Sequence, residues 1–335
     1  MKTLVTGASG HVGANLVRAL VSRGEPVRAL VHVDVKAIDG LDVEIVRGDV
    51  REPGSLDHAF EGIDTVYHLA ATISLTTSKQ LKEVNVDGTK NVVDACIHHG
   101  VRRLVHFSSI HAMAHQPAGQ AIDESCELDE SANCPAYNRS KADSEKELRK
   151  GIGRGLNAVI VRPTAILGPF DYQPSFFGEV LLSIARGKLP ALVAGGFDWV
   201  DVRDVVEGAI LAAQIATPGS DYMLSGHWAT IRELAAMVNH ATDCGVPRFD
   251  CPLWLAGIGA PFATAFDRMR KRRPLFTSFS IETLRTADRV NHEKATRELG
   301  YRPRPLQRSV EDALRWFREY GWLNRQIASA SESPG

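Results

Sequence analysis

The chain has 335 residues, a formal net charge of −1 at pH 7 and 44% hydrophobic residues. A chain of this length can bury a large core and predicts one large domain or two unequal ones. A charge so close to zero gives no electrostatic footprint for nucleic acid, so no nucleic-acid partner is expected. The five cysteines are odd in number and form no Cys-x-x-Cys pair. This argues against a disulfide framework or a metal site and favours a cytoplasmic protein.

The first 165 residues repeat one pattern, in which a short apolar run is followed by a polar or glycine break and a helix-like segment. Six candidate strands follow this pattern: KTLVTG, VRALVH, VEIVRGD, TVYHLAA, RLVHFSS and NAVIVRP. Their nearly continuous apolar character is typical of strands buried on both faces of a parallel sheet. The helix-like segments between them predict right-handed βαβ units. The predicted fold class is therefore α/β, a Rossmann-like doubly wound parallel sheet.

A glycine-rich loop, TGASGHVG, follows the first strand and opens the first helix. Glycine at these positions permits a tight turn and a close approach of backbone N–H groups to a pyrophosphate at a helix N-terminus. A second strand ends about 20 residues further on, where the adenosine ribose is recognised in such folds. The loop therefore predicts a dinucleotide site, whose candidate residues are Gly7, Ser9, Gly10, His11, Val12 and Gly13.

The end of the second strand bears on the choice between NAD and NADP. An acidic residue there would bind the ribose 2′-hydroxyl and repel a 2′-phosphate. The sequence has Val31 or His32 at this position, which favours NADP, and Arg28 and His32 could face its phosphate. NAD stays open as the alternative, because Asp34 could reach back to the ribose.

The motif RGDV follows the third strand and contains Asp49 and Val50. Asp49 is well placed to hydrogen-bond adenine, and both residues are candidate cofactor contacts. The alternative role of Asp49 is to cap the next turn.

Tyr137 and Lys141 lie four residues apart in AYNRSKADSEKEL, a spacing that puts them on one face of a helix. An ammonium beside a phenol stabilises the phenolate, so we expect Lys141 to lower the pKa of Tyr137 from about 10. Such a tyrosine can exchange a proton with a substrate oxygen during hydride transfer. From Ala142 onward the helix is expected to be an ordinary charged surface, with Glu145 and Arg149 forming an exposed pair.

Seven motifs in order and spacing resemble the extended short-chain dehydrogenases/reductases, the NAD-dependent epimerase/dehydratase superfamily. They are TGASGHVG, RGDV, YHLAA, NVDGTKNV, VHFSSIHAM, YNRSK and RPTAILGP. The resemblance covers essentially the whole chain and is closest to dihydroflavonol-reductase-like and 3β-hydroxysteroid-dehydrogenase-like members. It also implies a homodimer built through a four-helix bundle, with helices beginning near Leu81 and Tyr137.

The resemblance implies a role for individual residues. Tyr137 would be the acid/base, Lys141 its partner and a ligand of the nicotinamide ribose, and Ser109 the group that polarises the substrate oxygen. Asn85 would order the site, although an ordinary polar helix position is its alternative interpretation. The segment His68, Leu69, Ala70 and Ala71 would line the cofactor, and Arg162, Pro163 and Thr164 would border the nicotinamide.

Beyond residue 165, prolines and glycines break the regular pattern, although the segment VRDVVEGAILAAQIA predicts a helix that returns to the sheet. We predict a dinucleotide-binding core over residues 1–165, a smaller, interleaved substrate region over 166–326 and a disordered tail over 327–335. The uncharged stretch 251–266 is followed by a basic run. This pattern suits a lid over an apolar substrate or contact with a membrane surface. A core helix that ends in a solvated basic turn is favoured over the membrane contact, and core and lid stay open as alternatives.

Together these features predict an NAD(P)-dependent enzyme that interconverts a secondary alcohol and a ketone or aldehyde on a bulky, partly apolar small-molecule substrate. A nucleotide-sugar epimerase with tightly held NAD is the first alternative. A non-catalytic redox sensor that keeps the nucleotide site is the second. A dehydratase is disfavoured, because Ser109 is followed by Ile110 and His111 rather than by an acidic residue.

Overall fold

The computed structural model describes residues 1–73, 78–114, 116, 120–189, 191–247, 249–253, 255 and 289–323. Its strands, in chain order, are β1 (Thr3–Thr6), β2 (Val27–Val31), β3 (Glu44–Arg47), β4 (Thr65–His68), β5 (Arg103–Phe107), β6 (Ala158–Pro163), β7 (Ala165–Leu167), β8 (Leu192–Val193), β9 (Gly196–Asp201), β10 (Asp221–Leu224), β11 (His227–Thr230) and β12 (Asp250–Cys251). Seven of them form a parallel sheet in the order β10-β6-β5-β4-β1-β2-β3.

The α-helices are α1 (His11–Ser22), α2 (Pro53–Phe60), α3 (Ser78–Leu81), α4 (Gly88–His98), α5 (Ala136–Gly153), α6 (Phe176–Ala185), α7 (Val202–Ile215), α8 (Ile231–Thr242), α9 (Glu293–Leu299) and α10 (Leu306–Glu319). A π-helical turn, Lys82–Asp87, joins α3 to α4. Two short 3-10 helices occupy Lys36–Ile38 and Ile110–Ala112.

Helices cover both faces of the seven-stranded sheet. On one face α1, α7 and α9 bury apolar side chains against the strands, and on the other α2, α4 and α5 do the same. Five-residue β2 is buried along its whole length, as expected for a strand covered on both sides. The predicted α/β, doubly wound parallel sheet is therefore confirmed. The edge strand β3 departs from the predicted double burial, because three of its four residues are exposed.

The chain after residue 165 contributes both to this sheet and to a second core. Strand β10 pairs with β6 at the edge of the large sheet, and α7 packs against α1. The second core forms where α6, α8 and α10 pack on a three-stranded sheet of order β11-β9-β7. Among the helices of the described ranges, none is long and apolar enough to cross a membrane.

Three predictions concern residues outside the described ranges. These are most of the uncharged stretch 251–266, the basic run 268–273 and the tail 327–335. The homodimer through α4 and α5 stays a prediction. Several exposed positions on these helices are charged, and Arg154, the residue that follows α5, pairs with Asp94 of α4.

The glycine loop between β1 and α1 is tightly folded against its neighbours. Gly7 has a φ of +68°, and a Cβ on it would lie 2.7 Å from the backbone nitrogen of Ala70. A Cβ on Gly13 would lie 2.1 Å from the carbonyl oxygen of Gly7. Gly10 precedes α1 and has no side chain to cap it, so N–H groups of the first turn remain for a ligand. This loop fits the pyrophosphate of a dinucleotide.

We expect Gly13→Ala to weaken NAD(P)H binding and to lower the free energy of unfolding by about 1–3 kcal/mol, because its methyl group overlaps the Gly7 carbonyl oxygen. The matched control is Gly54→Ala in α2, where a Cβ meets nothing within 4 Å. The control should retain binding and stability in cofactor titration and thermal unfolding. Equal behaviour of the two variants would contradict the close packing described for the loop.

Candidate active site

Tyr137 and Ser109 meet at the carboxyl end of the parallel sheet. Ser109 follows β5 by two residues and begins the short 3-10 helix, where its Oγ accepts a hydrogen bond from the backbone nitrogen of His111 at 3.2 Å. The Tyr137 phenol is buried and hydrogen-bonds the Ser109 side chain. Neighbouring Ser108 has a buried Oγ without a hydrogen-bond partner in the structure. The geometry therefore places Ser109, and not Ser108, against the tyrosine.

Burial governs the pKa of Tyr137. Loss of solvent raises the pKa of the phenol to about 12, and the hydrogen bond with Ser109 opposes this only in part. The expectation that Lys141 would bring this pKa below about 10 is therefore wrong for the protein alone. The physical reason is that desolvation of the charged phenolate outweighs the favourable interactions around it.

Lys141 lies one helical turn after Tyr137 and is also buried. Its ammonium donates a hydrogen bond to the carbonyl oxygen of Phe107, the last residue of β5, at 3.0 Å. Burial lowers the pKa of Lys141 to about 8, and the negative charge of Glu145 acts in the opposite direction. The structure thus brings Ser109, Tyr137 and Lys141 together, as the sequence predicted.

Glu145 and Arg149 form the predicted i,i+4 pair, but the expected exposure of Glu145 was wrong. Its side chain is fully buried, and both carboxylate oxygens accept hydrogen bonds from Arg162 at 2.8 and 2.7 Å. Arg149 lies at a longer 3.8 Å from the same carboxylate. The spacing of four that links Tyr137 to Lys141 continues to Glu145, and Arg162 is a charge inside the apolar run AVIVRP. Both are signals that could have revealed the pair.

Asn85 lies in the π-helical turn and holds the loop after β4. Its amide oxygen accepts from the backbone nitrogen of Thr72 at 2.8 Å, while its amide nitrogen donates to the Thr72 carbonyl oxygen and to Ser140 Oγ. Ser140 belongs to α5, beside Lys141. The Asn85 side chain therefore connects the loop that contains Leu69, Ala70 and Ala71 to α5, the helix of Tyr137. Its position in a π-helical turn is typical of functional sites.

Two histidines lie side by side in the sheet behind Lys141. His68 hydrogen-bonds Thr6 Oγ1 at 2.8 Å and Thr89 Oγ1 at 3.1 Å, and its ring lies 5.4 Å from that of His106. Complete burial lowers the pKa of His68 to about 3 and that of His106 well below its usual value. Both rings are therefore neutral near pH 7. His106 is a site neighbour that the sequence analysis missed.

At the adenosine end, His32 is exposed and lies 3.3 Å from Asp49, whose carboxylate also binds Arg51. The guanidinium of Arg51, the largest cause, holds the pKa of Asp49 below its usual value. Val50 is buried beside them. Asp34 is already engaged by the backbone nitrogen of Lys36 and the side chain of Gln173.

Arg28 was predicted to face a phosphate, and this was wrong. It is buried in mid-strand, where it binds Glu44 and the carbonyl oxygens of His58, Ala59 and Glu61 at the end of α2. The sequence analysis missed Arg47. This residue of β3 pairs with Val31 of β2, and its guanidinium donates a hydrogen bond to the Val33 carbonyl oxygen at 2.7 Å. Arg47 is therefore the arginine at the predicted ribose position.

The other predicted site residues lie in the glycine loop, next to Pro169, and at the end of β6. His11 Nε2 contacts the carbonyl oxygen of Pro169 at 3.0 Å, while Ser9 and Val12 are partly buried next to it in the loop. Pro163 ends β6, and Thr164 donates to Asp198 Oδ1 at 2.9 Å. Asp198 also accepts from the backbone of Gly226, and its burial raises its pKa. This acid joins the expected nicotinamide border to the second core.

Two curated relatives resemble the chain over nearly its whole length. Sterol demethylase protein B of Methylococcus capsulatus (strain ATCC 33009 / NCIMB 11132 / Bath) is 39% identical, with 96% of this chain and 100% of that protein covered. A putative dihydroflavonol 4-reductase of Synechocystis sp. (strain ATCC 27184 / PCC 6803 / Kazusa) is 32% identical, with 96% of each chain covered. The similarity therefore extends through the substrate region as well as the nucleotide core.

A solved structure and a family model agree with these relatives. The crystal structure of gox2253 superposes with a TM-score of 0.84 at 32% identity, covering 95% of this chain and 98% of that one. The family model for the NAD dependent epimerase/dehydratase family matches residues 3–224. The matched span contains the glycine loop, Ser109, Tyr137 and Lys141. The chain therefore belongs to the NAD dependent epimerase/dehydratase family, the extended short-chain dehydrogenases/reductases.

Proposed function

We propose that the protein is an NAD(P)-dependent oxidoreductase that interconverts a secondary alcohol and a ketone on a bulky, largely apolar ring substrate. The observation that carries this proposal is the buried contact of Tyr137 with Ser109, one turn before the buried ammonium of Lys141. The substrate class is supported by the names of the two relatives, since a sterol and a dihydroflavonol are both polycyclic.

The roles of the side chains follow from their positions. The nicotinamide, when bound, supplies the hydride acceptor or donor. In reduction, the Tyr137 phenol gives its proton to the carbonyl oxygen, and in oxidation its phenolate form takes the proton of the substrate hydroxyl. Ser109 hydrogen-bonds the same oxygen and, together with Tyr137, stabilises the negative charge that develops there. Lys141 binds the ribose of the cofactor and favours the anionic state of Tyr137 through its positive charge.

The pKa of Lys141 gives this mechanism a pH dependence. Lys141 carries its charge below a pH of about 8 and loses it as the pH rises through that value. Ketone reduction needs the protonated phenol and the ammonium together. It should therefore be fastest below about pH 8 and decline above it.

Asn85 supports the proposed site without contacting the reacting atoms. Its three hydrogen bonds fix the loop after β4 against Ser140 of α5. We assign it an ordering role, through which it holds the nicotinamide side of the cofactor site relative to Tyr137.

Tyr137→Phe should reduce turnover by about 10²–10⁴-fold while leaving the dissociation constant of the cofactor nearly unchanged, because only the proton-transfer group is lost. Turnover is measured from nicotinamide absorbance with a 3-ketosteroid or a cyclic secondary alcohol as substrate. Tyr222→Phe is the matched control, since the Tyr222 hydroxyl contacts Glu298 at the edge of the sheet. Wild-type turnover in Tyr137→Phe would refute the assigned mechanism.

The same assay separates the proposal from nucleotide-sugar epimerisation. A dehydrogenase changes the nicotinamide absorbance in proportion to the substrate consumed, whereas an epimerase returns the hydride and leaves little net change. Conversion of a nucleotide sugar without net absorbance change would favour the epimerase. Nucleotide binding without turnover of any carbonyl or alcohol would favour the redox sensor.

For the cofactor, we propose a preference for NADP. His32 and Arg47 surround the position next to Val31 where an acid would select NAD, and both side chains are exposed. Arg47 can form a charge-assisted hydrogen bond to a 2′-phosphate. The acid Asp49 nearby is already paired with Arg51.

Arg47→Ala should weaken NADPH binding by about tenfold or more and leave NADH binding nearly unchanged, because only NADPH carries the 2′-phosphate. Fluorescence titration of the two cofactors checks this. The control Arg102→Ala removes an exposed arginine just before β5, at the amino ends of the strands, and should change neither affinity. If wild-type protein binds NADH tenfold more tightly than NADPH, the proposed preference is wrong.

A further inference from the structure

Glu145 is a fully buried carboxylate on the helix that carries Tyr137 and Lys141. The three residues follow each other at intervals of four, so their side chains lie along one face of α5. A carboxylate removed from water is costly unless it is paired and hydrogen-bonded. Glu145 has both kinds of compensation, because two nitrogens of Arg162 donate to its two oxygens at 2.8 and 2.7 Å. Its orientation relative to Lys141 is thereby fixed.

Arg162 is held in turn by residues that come after the nucleotide core. Its third guanidinium nitrogen lies 2.8 Å from Asp221 Oδ2, and Lys294 of α9 lies 3.2 Å from Asp221 Oδ1. Arg149, which is half-exposed, lies 3.4 Å from the same aspartate. Arg162 thus links the fully buried carboxylate of Glu145 to the partly buried carboxylate of Asp221, which Lys294 and Arg149 also bind. Of the two acids in this network, Glu145 is the one on α5, the helix that also carries Tyr137 and Lys141.

The other titratable groups around Lys141 do not supply a negative charge near neutral pH. On α5 itself the neighbour is the Tyr137 phenol, which burial keeps protonated. From β4 and β5 come His68 and His106, both held neutral by burial, and from β6 comes the cation Arg162. Within the described part of the chain, Glu145 is the acid that acts favourably on the Lys141 ammonium.

We propose that Glu145 is a positioning residue of the active site, which holds the Lys141 ammonium charged beside Tyr137 while Arg162 fixes the Glu145 carboxylate. The proposal rests on the proposed oxidoreductase function, because the charge of Lys141 matters to a proton transfer by Tyr137. Glu145 itself touches neither Tyr137 Oη nor Ser109 in the structure. It acts through Lys141.

The test is Glu145→Gln, which keeps the shape of the side chain and removes its charge. Without the anion the protonated form of Lys141 is less favoured, so its pKa falls below about 8. The decline of ketone reduction with rising pH should then begin at least about one pH unit lower than in the wild-type protein. For a displacement of one unit, turnover should fall about twofold at pH 7 and about fivefold at pH 8, while the KM for the cofactor changes less.

Asp221→Asn is the matched control. It removes a charge from the same network but leaves the contact of Arg162 with both oxygens of Glu145 in place. We expect a lower melting temperature in both variants and a displaced pH profile in Glu145→Gln alone. If the two variants lower stability and neither displaces the pH profile, Glu145 has a purely structural role and the proposal is wrong.

Two further measurements test the proposal if Glu145→Gln does not fold or if no turnover is detected. If Glu145→Gln does not fold, the double variant Glu145→Met/Arg162→Met removes the buried pair without leaving one unpaired charge, and it should show the same displacement. The titration of Lys141 is also followed directly by NMR with isotope-labelled lysine, assigned by comparison with Lys141→Arg. This readout needs no turnover. An unchanged Lys141 titration overturns the role of Glu145, whereas a lowered one without any oxidoreductase activity overturns the proposed function alone.

Discussion

The buried ammonium of Lys141 constrains the arrangement of the whole site. Transfer of such a charge out of water costs several kcal/mol unless nearby groups replace the lost hydration. The carbonyl oxygen of Phe107 and the charge of Glu145 provide this replacement. Because Lys141 binds Phe107 at the end of β5 and Glu145 binds Arg162 of β6, these two contacts fix the register in which α5 docks on the sheet. That register also brings Tyr137 to Ser109, so the same polar contacts stabilise the fold and assemble the chemistry.

The face of α5 that packs on the sheet explains why sequence analysis succeeded for its first turn and failed for its second. Tyr137 and Lys141 matched a motif with a known chemical purpose, so they were predicted to face inward. Glu145 matched the pattern of a solvated helix, because acids and bases alternate along AYNRSKADSEKEL. Its burial depends on Arg162, which is distant in sequence, and local spacing cannot reveal such a partner. A charge within the apolar strand AVIVRP was the available signal.

The fold was predictable for a different reason. Alternating apolar runs and helices, with glycine at the first turn, follow from local patterns that each strand and helix repeats. The exceptions are features set by neighbours: β3 is exposed because it is an edge strand, and Arg28 is buried because α2 ends above it. The π-helical turn at Asn85 also escaped prediction, since its hydrogen bonds to Thr72 and Ser140 are tertiary.

Two sets of contacts link the part of the chain after residue 165 to the proposed active site, one at Thr164 and one at Arg162. Thr164 follows directly on β6, and its hydroxyl binds Asp198 of β9, which also accepts from Gly226 just before β11. Asp221, which is itself bound by Lys294, comes from the same part of the chain and binds Arg162, the partner of Glu145. The region after residue 165 therefore contacts Thr164, at the expected nicotinamide border, and reaches Glu145 beside Lys141 through Arg162. A substitution after residue 165 that displaces Arg162 from Glu145 would thus reach the proposed Lys141 site without any substitution in the Ser109, Tyr137 and Lys141 set.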